Sequence, residues 1–358
     1  MSPGGKRSDR EGRHLLAPVA SGTVRYIVYG AGAIGGLAGA RMAEAGSDVV
    51  LIARGAHAAA IASDGLIIVS ADGTTTVKVP VVTDPSEVDF GADDAVLLAV
   101  KSHQTGTALD ALRRVAHPST PIACLQNGVE NERAALRMYA NVYGVCVMCP
   151  STHLEPGVVQ QDSVPVPGLL DVGRYPMGLD ATVAEIADAF RLANFDSVER
   201  PDVMRWKYRK LIMNLGNAVN AVIAPPGTKE VAERARAEGE ACLQAAGIEY
   251  ASVAEDRDRR ADIIQIRDIP GRPRGGGSSW QSLRRGSGSI ESDYLNGEVS
   301  LLGRLHRVAT PVNDLLGQLA WEAALHAAEP GAMTVEEFEA DLAAGQGAGA
   351  GTRSAPTG

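Results

Sequence analysis

Cysteine is scarce in this sequence: among 358 residues there are four, Cys124, Cys146, Cys149 and Cys242. So few exclude a disulfide-dense secreted scaffold. The spacing Cys146-x-x-Cys149 would suit a redox centre or half a zinc site. It lies, however, in "YGVCVMCPS", an apolar, strand-like run with no second ligand pair and no helix opening after it. The thiols are therefore read as reduced, in a cytoplasmic enzyme without a metal. Excess positive charge is lacking too. The 34 Lys and Arg stand against 43 Asp and Glu, a formal net charge of −9, which argues against nucleic acid as a partner and asks any small anionic ligand to find a locally positive pocket. No apolar run approaches the ~18 residues of a membrane span. Residues 1–24 hold no apolar core of secretory-signal length. A soluble protein is expected, with 1–24 a disordered lead-in and 343–358, "AAGQGAGAGTRSAPTG", a disordered Gly/Ala tail.

What is present is length enough for two domains. From Arg25 the pattern is strand, glycine turn, helix, strand: "RYIVYG", "AGAIGGLAGARMAEAG", "DVVLIAR". "DAVLLAVK" (94–101), "TPIACLQNG" (120–128) and "NVYGVCVMCP" (141–150) continue the alternation of a parallel α/β sheet. "VVQQDSVPVPGLLDVG" reads as an antiparallel hairpin, followed by a helix over 181–193 and a short strand near 197–199. Beyond Pro201 the pattern is helical over 202–223, 228–246, 250–266, 290–307, 312–327 and 334–343. A Gly/Ser/Arg-rich loop interrupts it at 269–289. The loop arginines, Arg272, Arg274, Arg284 and Arg285, are read as keeping a mobile lid soluble, the alternative being contact with an anionic substrate.

"VYGAGAIGG" places Gly30, Gly32 and Gly35 in G-x-G-x-x-G spacing after a strand and at the start of a helix. Gly30 permits the tight turn, Gly32 lets backbone approach a pyrophosphate, and Gly35 lets the helix lie close to the strand; the helix N-terminus offers its N–H groups to the phosphates. A dinucleotide is therefore expected on Gly30, Ala31, Gly32, Ala33, Ile34 and Gly35. Where an acid for the ribose 2′-hydroxyl would stand, the chain has Arg54, 19 residues after Gly35. A guanidinium there suits a 2′-phosphate, so NADP(H) is expected over NAD(H), the alternative being an ordinary surface arginine. Lys101 and Asn127 follow the strands "VLLAV" and "IACLQ", at the sheet edge where ligands bind. The expected fold class is α/β: an N-terminal Rossmann-type parallel-sheet domain over 25–200, then an all-α C-terminal domain over 201–342.

"KYRKLIMNLGNAVNAV" (207–222) carries polar residues through an otherwise apolar helix. Lys210, Asn214 and Asn217 fall within an arc of about 60° on a 3.6-residue helix. A buried polar stripe implies water, a partner or a ligand; an outward-facing one needs none of these. Lys207 lies near the same face, so periodicity does not choose between the two lysines.

These residues, with "VKSHQ", "LQNG", "SSWQSLRRGSGSIESDYLNGEV" and "ATPVNDLL", resemble the ketopantoate reductase (2-dehydropantoate 2-reductase) family over about residues 25–330. The resemblance implies NADPH-dependent reduction of a 2-keto acid, with Lys210 the proton donor and Glu291 near the cofactor and reacting centre. Asn127, Asn214 and Ser279 match substrate-binding positions, and Lys101, Asn127, Glu155 and Glu291 join the glycine turn and Arg54 in the cofactor set. The family's second helix asparagine is replaced by Ala218, with Asn217 one residue early. A relative acting on another carbonyl or imine, or a non-catalytic NADP-sensing module, remains an alternative. A helical domain of this kind can present a homodimer face.

Overall fold

The computed structural model describes residues 24–272, 275–286 and 288–350, the side chains of 346–350 excepted. The expected lead-in, apart from Val24, and the tail beyond Ala350 lie outside these residues, as does Arg274.

In chain order the strands are β1 (Arg25–Tyr29), β2 (Asp48–Ile52), β3 (Leu66–Ser70), β4 (Gly73–Val77), β5 (Val81–Val82), β6 (Asp94–Leu98), β7 (Ile122–Cys124), β8 (Val142–Met148), β9 (Ser151–Thr152), β10 (Val158–Gln161) and β11 (Leu169–Arg174). The helices are α1 (Ala33–Glu44), α2 (Gly55–Asp64), α3 (Thr105–Leu112), α4 (Asn131–Leu136), α5 (Ala181–Leu192), α6 (Val203–Asn214), α7 (Gly216–Val222), α8 (Thr228–Ala245), α9 (Val253–Arg260), α10 (Ser278–Arg284), α11 (Asn296–His306), α12 (Pro311–Leu325) and α13 (Val335–Ala350).

The main sheet has seven strands in the order β11-β8-β7-β6-β1-β2-β5. All neighbours pair in parallel except β8 and β11. Strands covered on both faces need no hydrophobic alternation, and β6, "DAVLL", and β8 are buried throughout. The one charge in β6, Asp94, is met by Arg25 at 2.7 Å on the neighbouring strand. From β1 the chain runs outward to β2 and β5, then returns to β6 on the other side of β1. The strand order therefore reverses between β1 and β6, and the crevice beyond their carboxyl ends is the natural ligand site.

A smaller sheet, β4-β3-β10-β9, packs against α1. It corrects the expected hairpin: β10 joins β3 in parallel, β11 joins β8 antiparallel, and the two do not pair with each other. Pro165 and Pro167 lie between them, and proline has no N–H to give a ladder.

From α6 onward the described chain is helical, around a second apolar core that includes Leu215, Val219, Leu243, Val299, Leu316 and Phe338. Four expectations change in this part. The helix expected over 202–223 has its ladder interrupted at Leu215, and the one expected over 250–266 stops at Arg260. The loop expected over 269–289 contains α10, a helix of seven residues held on one side by buried Ser279, Ser282 and Leu283. The tail expected to be disordered from 343 continues α13 to Ala350, since Phe338 and Leu342 anchor that helix in the core and alanine favours its extension.

Candidate active site

The carboxyl ends of β1, β6, β7 and β8 and one side of the helical part enclose a cavity of about 520 Å³. Its floor begins at the glycine turn. Gly30 sits at φ +106°, where a side chain would be strained, and a Cβ there would come within 2.7 Å of Val100 N. A Cβ on Gly35 would meet Gly30 O at 2.2 Å, so α1 can lie this close to its strand only with glycine. Gly32, Ala33 and Ile34 line the cavity, and α1 begins with neither a side-chain cap nor an acidic residue in its first turn. Free N–H groups at an uncapped helix start fit a pyrophosphate. Ala31 does not face the cavity. Its carbonyl lies 2.7 Å from His57 Nε2, while the Gly157 N–H donates to His57 Nδ1 at 2.8 Å. That pairing fixes a neutral ring with its proton on Nε2. Burial lowers the pKa of His57, and the ring ties the glycine turn to the smaller sheet.

Arg54 stands just past β2 as the N-cap residue of α2, exposed, with Nη2 3.2 Å from the Tyr29 hydroxyl. Neither Arg54 nor Glu155 is among the residues that line the cavity. Glu155 is exposed in the turn between β9 and β10 and pairs with Arg272 at 3.2 Å.

Lys101, at the end of β6, reaches Glu291 at 2.6 Å and Ser278 Oγ at 3.2 Å. Glu291 also accepts the Ser102 N–H at 2.9 Å and the Ser102 hydroxyl at 3.0 Å. Burial alone would raise this carboxyl's pKa, but the Lys101 charge and the Ser102 donors hold it below the usual range. Asn127, at the end of β7, accepts from Asn214 Nδ2 at 3.1 Å. Buried Asn131 braces this corner by donating to Asn127 O at 3.0 Å and Ser102 Oγ at 3.2 Å.

The two lysines of α6 now separate. Lys207 is buried against Glu132 and donates to Gln126 O at 2.8 Å, so it is structural. Lys210 lines the cavity and has no hydrogen bond or ion pair among the described residues. Burial lowers its pKa below 10.5, Asp256 opposes that shift and Arg260 adds to it. Asn214 and Asn217 line the cavity with it, whereas Ala218 is buried in the apolar core.

Ser279 is a correction. It is 1% exposed, is absent from the cavity wall, and its hydroxyl has no partner. Along α10 the cavity face is Ser278, Gln281 and Arg285, at helical spacings of three and four, and Ser279 points off that face. Its neighbour Ser278 lines the cavity in its place. Cavity residues that the sequence reading does not assign to the site include Asp162, Arg260, Ser278, Gln281 and the segment 147–151 from the end of β8 into β9, and Arg285 is read there as a lid residue. Asp162 and Arg260 fall in segments without a motif. The i, i+3, i+7 spacing from Ser278 was the available signal for Gln281 and Arg285. Cys149 is in the wall too, its thiol pushed up to about 12 by burial.

Family models described as "Ketopantoate reductase PanE/ApbA" and its C-terminal counterpart match residues 26–176 and 202–323. The chain belongs to the ketopantoate reductase family. A 2-dehydropantoate 2-reductase of Halobacterium salinarum is 34% identical over 83% of this chain and 97% of its own length. One from Pyrococcus horikoshii is 28% identical over 83% and 96%. A ketopantoate reductase structure from Ralstonia eutropha JMP134 is 28% identical with a TM-score of 0.70, covering 84% of this chain and 99% of that one. The D-mandelate dehydrogenase complex with NADH and anilino(oxo)acetate shares the fold at 22% identity, with a TM-score of 0.71, covering 84% and 99%. As a member of the ketopantoate reductase family the chain is an oxidoreductase, and its cofactor is a nicotinamide dinucleotide. No helix among the described residues is long and apolar enough to cross a membrane.

Proposed function

We propose that this enzyme reduces a 2-keto acid, ketopantoate or a close analogue, to the 2-hydroxy acid with NADPH, and that Lys210 gives the proton. The observation that carries the reading is an unpaired, desolvated amine in a cavity whose opposite wall is the glycine turn. A bound reduced dinucleotide would supply hydride to the carbonyl carbon. The carbonyl oxygen then takes negative charge, and the Lys210 ammonium both stabilises that charge and protonates it, leaving a hydroxyl and a neutral amine. Asn127, Asn214 and Asn217 offer amide groups that orient the substrate. Glu291, held by Lys101 and Ser102, lines the cavity and would offer its carboxylate to a cofactor hydroxyl or amide. The exposed Arg54 guanidinium suits a 2′-phosphate, which favours NADPH over NADH. The four free cysteines fit the reducing cytoplasm, where this reading places the reaction.

The test is a panel of 2-keto acids, ketopantoate first, followed at the NADPH absorbance. NADPH oxidation should exceed NADH oxidation, and Arg54→Ala should narrow that preference about tenfold, the scale of one phosphate contact. Tight NADPH binding with no turnover of any 2-keto acid would overturn the assignment.

A further inference from the structure

Among the described residues the cavity wall carries four cations, and they are not equivalent. Lys101 is paired with Glu291, and Arg260 with Asp256 at 3.0 Å. Lys210 is the proton donor proposed above. Arg285 remains. It caps the C-terminal end of α10, and its one hydrogen bond among the described residues runs from Nη1 to His153 O at 2.8 Å. No carboxylate lies within ion-pair distance of it among the described residues. Its neighbours in the same segment are answered: Arg272 pairs with Glu155 at 3.2 Å and Arg284 with Glu329 at 2.8 Å. Those two are solvated surface pairs, as read for the loop as a whole; Arg285 is half-buried and faces the cavity.

A guanidinium has five N–H donors in a planar fork that matches two oxygens of one anion. In Arg285 one is used. Burial weakens its hold on its proton, and the charge of Glu291, which is itself paired with Lys101, only partly opposes that. Gln281, one turn back on the same face, uses its amide on Ser151 O at 3.1 Å, which fixes the α10 face against the end of β8 and keeps Arg285 turned inward.

We infer that Arg285 is an anion-recognition residue of the active site and takes the charged oxygens of a ligand in a forked contact. Two ligands of the proposed reaction carry such oxygens, the 2-keto acid carboxylate and the dinucleotide diphosphate. The inference rests on the proposed reaction for the first and only on the nicotinamide cofactor for the second.

Arg285→Gln and Arg285→Lys are compared with the full-length wild-type enzyme. If the substrate carboxylate is bound, Arg285→Gln raises KM for ketopantoate at least tenfold with the NADPH Kd unchanged, and Arg285→Lys recovers part of the loss. If the diphosphate is bound, the NADPH Kd rises by that factor instead, read by quenching of protein fluorescence. A second measurement needs no variant: wild-type enzyme is labelled with phenylglyoxal and the modified arginines are mapped by peptide mass. Ketopantoate or NADPH should protect Arg285 and leave Arg272 and Arg284 reactive. Both constants within twofold of wild type, or no protection by either ligand, would overturn the inference. An enzyme that reduces no 2-keto acid refutes the proposed reaction, while protection by NADPH still decides the role of Arg285.

Discussion

At the scale of single residues, Lys210 and Lys207 show how one turn of helix can hold two lysines in opposite surroundings, one paired and one facing a cavity. Both stems leave α6 on nearby faces, and sequence periodicity could not separate them. What separates them is Glu132, a carboxyl 75 residues earlier in the chain, which pairs with Lys207 and leaves Lys210 free. Long-range pairing of this kind has no local signature. The same holds for Ser279, whose motif was legible while its direction depended on how α10 lies in the core. Lys210 carries a pH prediction. A proton donor must be charged before the step, so kcat for reduction should be flat at low pH and fall as pH rises through the Lys210 pKa. Because burial lowers that pKa below 10.5, the fall comes earlier than a solvated lysine would give. The reverse reaction, which needs the neutral amine, should rise over the same window. Lys210→Met should cost about 10²–10⁴ in kcat, the range of a general acid. Lys210→Arg should remove the alkaline limb while staying slow; a pH–rate profile of Lys210→Met superimposable on wild type would refute the assignment.

At the scale of elements, the parallel strands and the glycine turn were legible because a buried parallel strand reads as a continuous apolar run and the turn needs glycine at fixed spacing. The smaller sheet was not legible: β4, "GTTTV", is largely exposed, and β9 has two residues. The interruption between α6 and α7 was also invisible. Leu215 N lies 3.4 Å from Ile212 O, and its carbonyl accepts from Asn296 Nδ2 at 3.3 Å. Asn296 also donates to Asn313 Oδ1 at 3.0 Å, and Asn313 in turn donates to Glu238 at 2.8 Å and Ala235 O at 2.9 Å. The motifs "ESDYLNG" and "TPVND" therefore serve in part to hold the helix junction that carries Lys210, Asn214 and Asn217. Asn296→Asp keeps the shape but removes both N–H donors and sets a carboxylate against two acceptors. It should destabilise the fold by about 1–3 kcal/mol, the cost of leaving buried acceptors unpaired, measured by urea unfolding. It should also raise KM for the keto acid several-fold with the NADPH Kd unchanged. Unchanged kinetics in a destabilised Asn296→Asp enzyme would limit the network to folding.

At the scale of the whole molecule, the cavity exists only where the sheet part and the helical part meet, so the contacts that join them are part of the site's construction. Apolar packing joins them, Trp206 against Cys146, Met148 and Leu169 and Leu211 against Val129, and so do buried polar contacts. Lys101 reaches Glu291, Asn214 reaches Asn127, Arg259 reaches Asp171 at 2.8 Å, and Lys207 lies against Glu132 in full burial. Burial raises the Glu132 carboxyl's pKa even against the pull of Lys207, so the charged pair holds only because each partner answers the other. Lys207 also grips Gln126 O, one residue before Asn127, which couples this joint to the substrate wall. Glu132→Gln should therefore do more than loosen a surface bridge. It leaves an ammonium buried without its anion and should lower stability by about 3–5 kcal/mol, visible as a large drop in Tm. The double variant Glu132→Gln with Lys207→Met removes the stranded charge and should regain much of that loss, while KM for the keto acid rises because Gln126 O has lost its donor. Additive losses in the double variant would mean that the two side chains do not work as a pair, and the joint would have to be sought in Asp171 and Arg259 instead.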